Sequence, residues 1–231
     1  MDQDAAPSKV VFWDFHGTLA HAPMEWGSAM VEVLNEALPG HGINRETMFG
    51  FIQEGFPWHI PERAHPELGT ADAWWGHVER AMARGYGRAG VDGSLAGELA
   101  GRVREQFLKP HRYRVDPAAR AALTTVAAAG WTNMVMSNHV PELEQILADL
   151  GLLELMEAVY TLARTGYEKP NRLAFLGPYR DTGEPERVWM VGTTRSPMSR
   201  ARSRPTSRRS WWATEPGMRH EPWRTCRQRR R

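Results

Sequence analysis

Four short apolar runs punctuate this chain, separated by longer stretches with helical spacing. KVVFWDF (Lys9 to Phe15) is continuous enough to predict a strand buried on both faces. WTNMVMS (Trp131 to Ser137), EAVYTL (Glu157 to Leu162) and ERVWMV (Glu186 to Val191) predict three more. Met24 to Leu38 carries apolar residues at helical spacing (Met30, Val33, Leu34, Ala37) and is stopped by Pro39-Gly40. From Gly40 to about Lys109 the pattern stays mostly helical, broken by the Pro- and His-bearing loop EGFPWHIPERAHPELGT. Asp116-Pro117 opens a helix to Ala129, closed by Gly130, and Pro141 to Leu150 forms another, closed by Gly151.

Strands alternating with helices imply an α/β fold with a Rossmann-like parallel sheet. The stretch between the first two strands is too long for a simple crossover. It reads as a helical cap inserted after the first strand, residues 23–109, with 1–22 and 110–192 forming the core.

Composition divides the chain once more. From Thr193 onward there are 12 Arg, no Lys and two acids, a net of +10. The first 192 residues carry 17 basic and 25 acidic side chains, a net of −8. The last 39 residues contain no Val, Leu, Ile, Phe or Tyr, so 193–231 is expected to remain a disordered Arg-rich tail. No run of 18 apolar residues occurs, so no membrane span is expected. The opening MDQDAAPSKV lacks an apolar signal-peptide core, and a single cysteine, Cys226, excludes an intrachain disulfide. A cytoplasmic protein is the simplest expectation.

In an open parallel sheet, ligands bind at the carboxyl ends of the strands. Asp14 in DFHGT, Ser137 in SNH, Lys169 in GYEKP and the Gly192 loop all fall at such ends, and should converge in space. VVFWDFHGTLA, VMSNH, GYEKP and VWMVG together resemble the four ordered motifs of the haloacid dehalogenase-like (HAD) hydrolase superfamily, over about Lys9 to Gly192.

The resemblance implies Mg²⁺-dependent hydrolysis of a small phosphate monoester. Asp14 would be the nucleophile, forming an aspartyl-phosphate. Ser137 and Asn138 would bind substrate, Lys169 would supply a cation, and Thr18 would help hold the phosphoryl group or its loop. Mg²⁺ would sit against Asp14, the backbone carbonyl of His16 and acids of the fourth motif. Two positions depart from the family pattern. His16 stands where phosphatases of the family usually carry the Asp that serves as general acid and base, and imidazole can do the same work near neutral pH. After Gly192 the chain reads Thr193-Thr194-Arg195, and no acid follows until Glu215, so metal binding is expected to be weakened.

The missing acids have an account in the genetic code. A single C restored within codon 192 turns one permitted coding of Gly192 to Ala201 into Gly-Asp-Asn-Pro-Val-Ala-Asp-Val-Glu-Gly, which supplies two acids at the spacing the family's fourth motif uses. Trp211-Trp212-Ala213, restored likewise, ends in Val-Gly, as a fifth parallel strand would. The tail therefore reads as an out-of-frame segment, with a genuine basic arm for nucleic acid as the less favoured alternative, given the acidic core. A non-enzymatic homologue and a metal-independent dehalogenase-type hydrolase also stay open. The insert's Trp58, Trp74 and Trp75 read first as core, His59 and His65 lack metal-ligand spacing, and His139 is left unassigned.

Overall fold

The computed structural model describes residues 6–22, 25–193, 209–214 and 224–226. β1 (Lys9–Trp13) lies at the centre of the parallel sheet because it is apolar on both faces. Val10 and Phe12 point into one core, and Val11 and Trp13 into the other. The two-residue strand β2 (Ala20–His21) follows the turn after β1.

The chain then enters a helical insert built of α1 (Glu25–Ala37), α2 (Arg45–Phe51), α3 (Ala71–Arg88) and α4 (Gly93–Phe107). Asn44, Thr70 and Asp92 start three of these helices, each side chain accepting a hydrogen bond from a first-turn N–H. The insert is closed by β3 (Arg114–Val115), which runs antiparallel to β2, so a two-stranded neck joins insert and core. Trp74 and Trp75 are fully buried, and Trp26 stacks on Phe107 with ring centroids 4.0 Å apart. The tryptophans of α3 thus belong to the core of the insert.

The core resumes with α5 (Ala119–Ala128), β4 (Thr132–Met136), α6 (Leu143–Asp149), β5 (Ala158–Tyr160), the short α7 (Leu162–Thr165), α8 (Arg172–Asp181) and β6 (Arg187–Thr193). β5, β4, β1 and β6 lie side by side in that order, all parallel. α8 has no counterpart in the sequence expectation. Gly177-Pro178 looks like a break, yet the helix runs through Pro178, and Phe175 and Tyr179 pack on the face formed by Val10, Phe12, Met134 and Met190. On the opposite face, Val11, Trp13, Val126, Trp131, Trp189 and Val191 line an open apolar groove of about 790 Å³ between α5 and the sheet.

Beyond Thr193, two short stretches of the tail are described, 209–214 and 224–226. β7 (Arg209–Thr214) pairs antiparallel with β6, and β8 (Arg224–Cys226) pairs antiparallel with β7. β6 offers β7 an edge of backbone donors and acceptors, and ladder hydrogen bonds demand no particular side chain. The remainder of 194–231, including the expected fourth-motif positions beyond Thr193, lies outside the described residues.

Candidate functional site

The strand ends converge as the topology requires. β1 hands the chain to Asp14, whose backbone N–H is fixed by the carbonyl of Val191 at 2.8 Å. Gly192 allows this approach, since a Cβ there would stand 3.3 Å from Asp14 Cβ. The chain turns back after Asp14 because Gly17 adopts φ +81°, a left-handed conformation open to glycine, and the N–H groups of Thr18, Leu19 and Ala20 all point to the Phe15 carbonyl.

Three donors meet one oxygen of Asp14. Oδ1 accepts from the Phe15 N–H at 2.9 Å and from the Ser137 hydroxyl at 2.7 Å, and lies 2.9 Å from Lys169 Nζ. Oδ2 accepts no hydrogen bond among the described residues. Both partners of the ion pair are mostly buried, with side-chain exposures of 16% for Lys169 and 20% for Asp14. The ammonium also donates to the Met136 carbonyl at 2.9 Å, which aims it between the ends of β1 and β4.

Asn138 and Thr18, expected to touch substrate, are placed differently from Ser137. Asn138 Nδ2 donates to the Lys169 carbonyl and its Oδ1 accepts from the Lys169 N–H, both at 2.8 Å. The side chain clamps the Lys169 backbone. The Thr18 hydroxyl is buried and meets no hydrogen-bond partner among the described residues.

His16 sits two residues beyond Asp14, with Nδ1 2.8 Å from Glu25 Oε1. Glu25 opens α1 and brings a carboxylate from the insert into the site. Sequence reasoning missed it, because an acid in a first helical turn is ordinary helix chemistry. His139 is buried, its ring packed edge-on to Phe15 at 5.1 Å, and burial pushes its pKa down to about 4 despite the opposing pull of Glu25. A second unforeseen acid is Glu168, next to Lys169. It is fully buried, neither carboxylate oxygen finds a hydrogen-bond partner among the described residues, and burial raises its pKa to about 8 against the pull of Lys169.

The insert reaches the site from above. Asn171 Nδ2 donates to the Pro61 carbonyl at 2.9 Å, and His65 N–H donates to the Gly166 carbonyl at 2.8 Å. Glu142 accepts from the Trp75 indole N–H at 3.1 Å and from Arg104 Nε at 2.9 Å. Among the described residues no group of three or more His, Cys, Asp or Glu side chains is arranged to hold a metal ion, and no helix is long and apolar enough to cross a membrane.

Comparison with known proteins gives the same outline. The family model for haloacid dehalogenase-like hydrolases matches residues 8–193, ending where the composition changes. The human haloacid dehalogenase-like hydrolase domain-containing protein 3 is 26% identical over 175 residues, covering 72% of this chain and 66% of that protein. The L-2-haloacid dehalogenase of Xanthobacter autotrophicus superposes with a TM-score of 0.51 at 21% identity, over 76% of this chain and 65% of the enzyme. A predicted phosphoglycolate phosphatase of Haemophilus somnus 129pt gives a TM-score of 0.51 at 16% identity, over 76% of this chain and 72% of the other. The chain therefore spans just under two thirds of the human relative and of the Xanthobacter enzyme. At these identities the structural likenesses speak for the fold, and they include both dehalogenases and phosphatases.

Proposed function

Because the chain belongs to the haloacid dehalogenase-like hydrolases, we propose that it hydrolyses a small phosphate monoester through a covalent intermediate on Asp14. The observation that carries this reading is the triple engagement of Asp14 Oδ1 by Phe15 N–H, Ser137 Oγ and Lys169 Nζ, which leaves Oδ2 without a hydrogen bond among the described residues. Such a carboxylate is held at one oxygen and open at the other, as a nucleophile must be.

In the first half-reaction the Asp14 carboxylate bonds to phosphorus, the bond from phosphorus to the alcohol oxygen breaks, and that oxygen takes a proton from the His16 imidazolium. In the second, the imidazole takes a proton from a water, whose oxygen bonds to phosphorus. The acyl-phosphate bond breaks, phosphate leaves, and Asp14 returns to a carboxylate. Lys169 Nζ, 2.9 Å from Asp14 Oδ1, would offset the negative charge that accumulates on the transferring group. Ser137 orients Asp14, Asn138 fixes the Lys169 backbone, and the insert acts as a cap over the site through its bonds to Gly166 and Asn171.

The donor set fits Mg²⁺ in a reduced form. Magnesium is commonly held by one or two carboxylates, with substrate phosphates and water supplying the rest. Here the Asp14 carboxylate and the His16 carbonyl would hold it. No acid follows Gly192 among the described residues, so substrate and water would supply the remaining ligands. When bound, it neutralises phosphoryl oxygens.

A dehalogenase-type reaction is the second reading. It is favoured by that thin donor set, since displacement of halide by a carboxylate calls for no metal. One experiment separates the two: release of phosphate from p-nitrophenyl phosphate and small sugar phosphates, with and without Mg²⁺, beside halide release from 2-chloropropionate. Mg²⁺-stimulated phosphate release that disappears in Asp14→Asn supports the phosphatase. Halide release alone supports the second reading, and phosphatase activity that survives Asp14→Asn defeats the mechanism.

A further inference from the structure

Glu25 is a buried acid at the first position of α1, 8% exposed, and it faces two histidines from two different loops. Its Oε1 lies 2.8 Å from His16 Nδ1, in the loop after β1. Its Oε2 lies 3.9 Å from His139 Nε2, in the loop after β4, and makes no hydrogen bond among the described residues. His139 cannot readily take a proton to compete for this carboxylate. Its ring is enclosed by Phe15, Phe107 and Tyr113, with centroids 5.1, 5.8 and 5.9 Å away. A buried carboxylate needs a donor, and among the described residues His16 Nδ1 is the ring nitrogen within hydrogen-bond distance of it.

We propose that Glu25 is a positioning residue that fixes His16 in its Nδ1–H tautomer and holds the ring, so that Nε2 is the atom that exchanges protons with substrate and water. The assignment rests on the proton-transfer role given to His16 above. The physical logic is that the hydrogen bond made by one imidazole nitrogen decides which state the other takes. Without a carboxylate at Nδ1, a neutral imidazole favours the opposite tautomer, with the proton on Nε2. The wrong tautomer presents a donor where the second half-reaction needs an acceptor. Glu25 comes from the insert and His16 from the core, so the ring's orientation depends on how the insert is seated. The side-chain exposures fit this division of labour: 39% for His16, open to a ligand, and 9% for Glu25, enclosed.

The test has a spectroscopic arm and a kinetic arm, both on the full chain. Long-range ¹H–¹⁵N spectra at about pH 8, above the ordinary imidazole range, identify His16 by its loss in His16→Asn. The expected wild-type pattern is a protonated Nδ1 and a lone pair on Nε2. Glu25→Ala should reverse it, and Glu25→Met, closer in volume, gives the same reversal if the alanine variant fails to fold. Glu25→Gln, whose amide oxygen still accepts from Nδ1–H, should retain the wild-type pattern. A wild-type His16 protonated at Nε2, or a pattern unchanged in both Glu25→Ala and Glu25→Met, overturns the proposal. On p-nitrophenyl phosphate, Glu25→Ala should lower kcat at least about tenfold, a part of the roughly 10²–10⁴-fold that general acid–base catalysis contributes, with KM nearly constant and partial rescue in Glu25→Gln. A loss confined to KM counts against positioning. Turnover that survives Asp14→Asn removes the phosphatase reading, and the spectra still decide the tautomer.

Discussion

Glu168 places a titrating acid in the dry interior beside the site lysine, and its removal should change how stability depends on pH. Its side chain is fully buried, its carboxylate oxygens lack hydrogen-bond partners among the described residues, and its pKa rises from 4.5 to about 8. Between those two values the folded chain keeps the proton and the unfolded chain releases it. The contribution of Glu168 is therefore fully present below about pH 4.5 and is lost as pH rises towards 8. At 1.36 kcal/mol per pH unit, that span is worth about 5 kcal/mol, comparable with the whole stability of a marginal domain. Glu168→Gln keeps the size and polarity of the neutral acid but cannot ionise. Urea unfolding at about pH 5 should give similar stabilities for parent and variant. At about pH 9 the variant should be more stable by several kcal/mol. Both proteins share every other titrating group, so the difference between their pH profiles isolates this one. Profiles that fall in parallel would refute the buried, neutral Glu168.

Three more outcomes follow from named contacts. Asn138→Ala removes both 2.8 Å bonds to the Lys169 backbone; turnover should fall about tenfold or more and stability by about 1–3 kcal/mol, read by kinetics and thermal melting, and unchanged turnover would deny Asn138 its part in placing the lysine. Glu142→Ala strands the Trp75 indole N–H and an Arg104 guanidinium bond between insert and core, and urea unfolding should register a loss of about 1–3 kcal/mol. Gly17→Ala puts a Cβ at φ +81° and 3.1 Å from Thr193 Oγ1, for a cost of about 1–2 kcal/mol; an alanine variant as stable as the parent would show that the turn can relax.

The sheet was legible because β1, β4, β5 and β6 are apolar runs too short for helices, and because helices separate them in the chain. The rule that ligands bind at the carboxyl ends of parallel strands then brings Asp14, Ser137 and Lys169 together without any structure, and they do meet. The rule fixes the neighbourhood but not the partners, which is why Asn138 is found holding the backbone of Lys169. α8 escaped because Gly177-Pro178 mimics a stop, while its buried face is carried by Ala174, Phe175 and Tyr179. Glu25 escaped because its role depends on the seating of the insert against the core, a relation between residues far from local pattern.

The Asn138–Lys169 clamp has a mechanical consequence. Ser137 and Asn138 share one loop, and the paired bonds from Asn138 to the Lys169 backbone join the segment after β5 to it. The hydroxyl and the ammonium that meet Asp14 Oδ1 are therefore tied to each other as well as to Asp14. A centre assembled from three distant stretches of sequence thus carries its own brace, since the spacing of two of its donors is set by a bond that does not pass through Asp14.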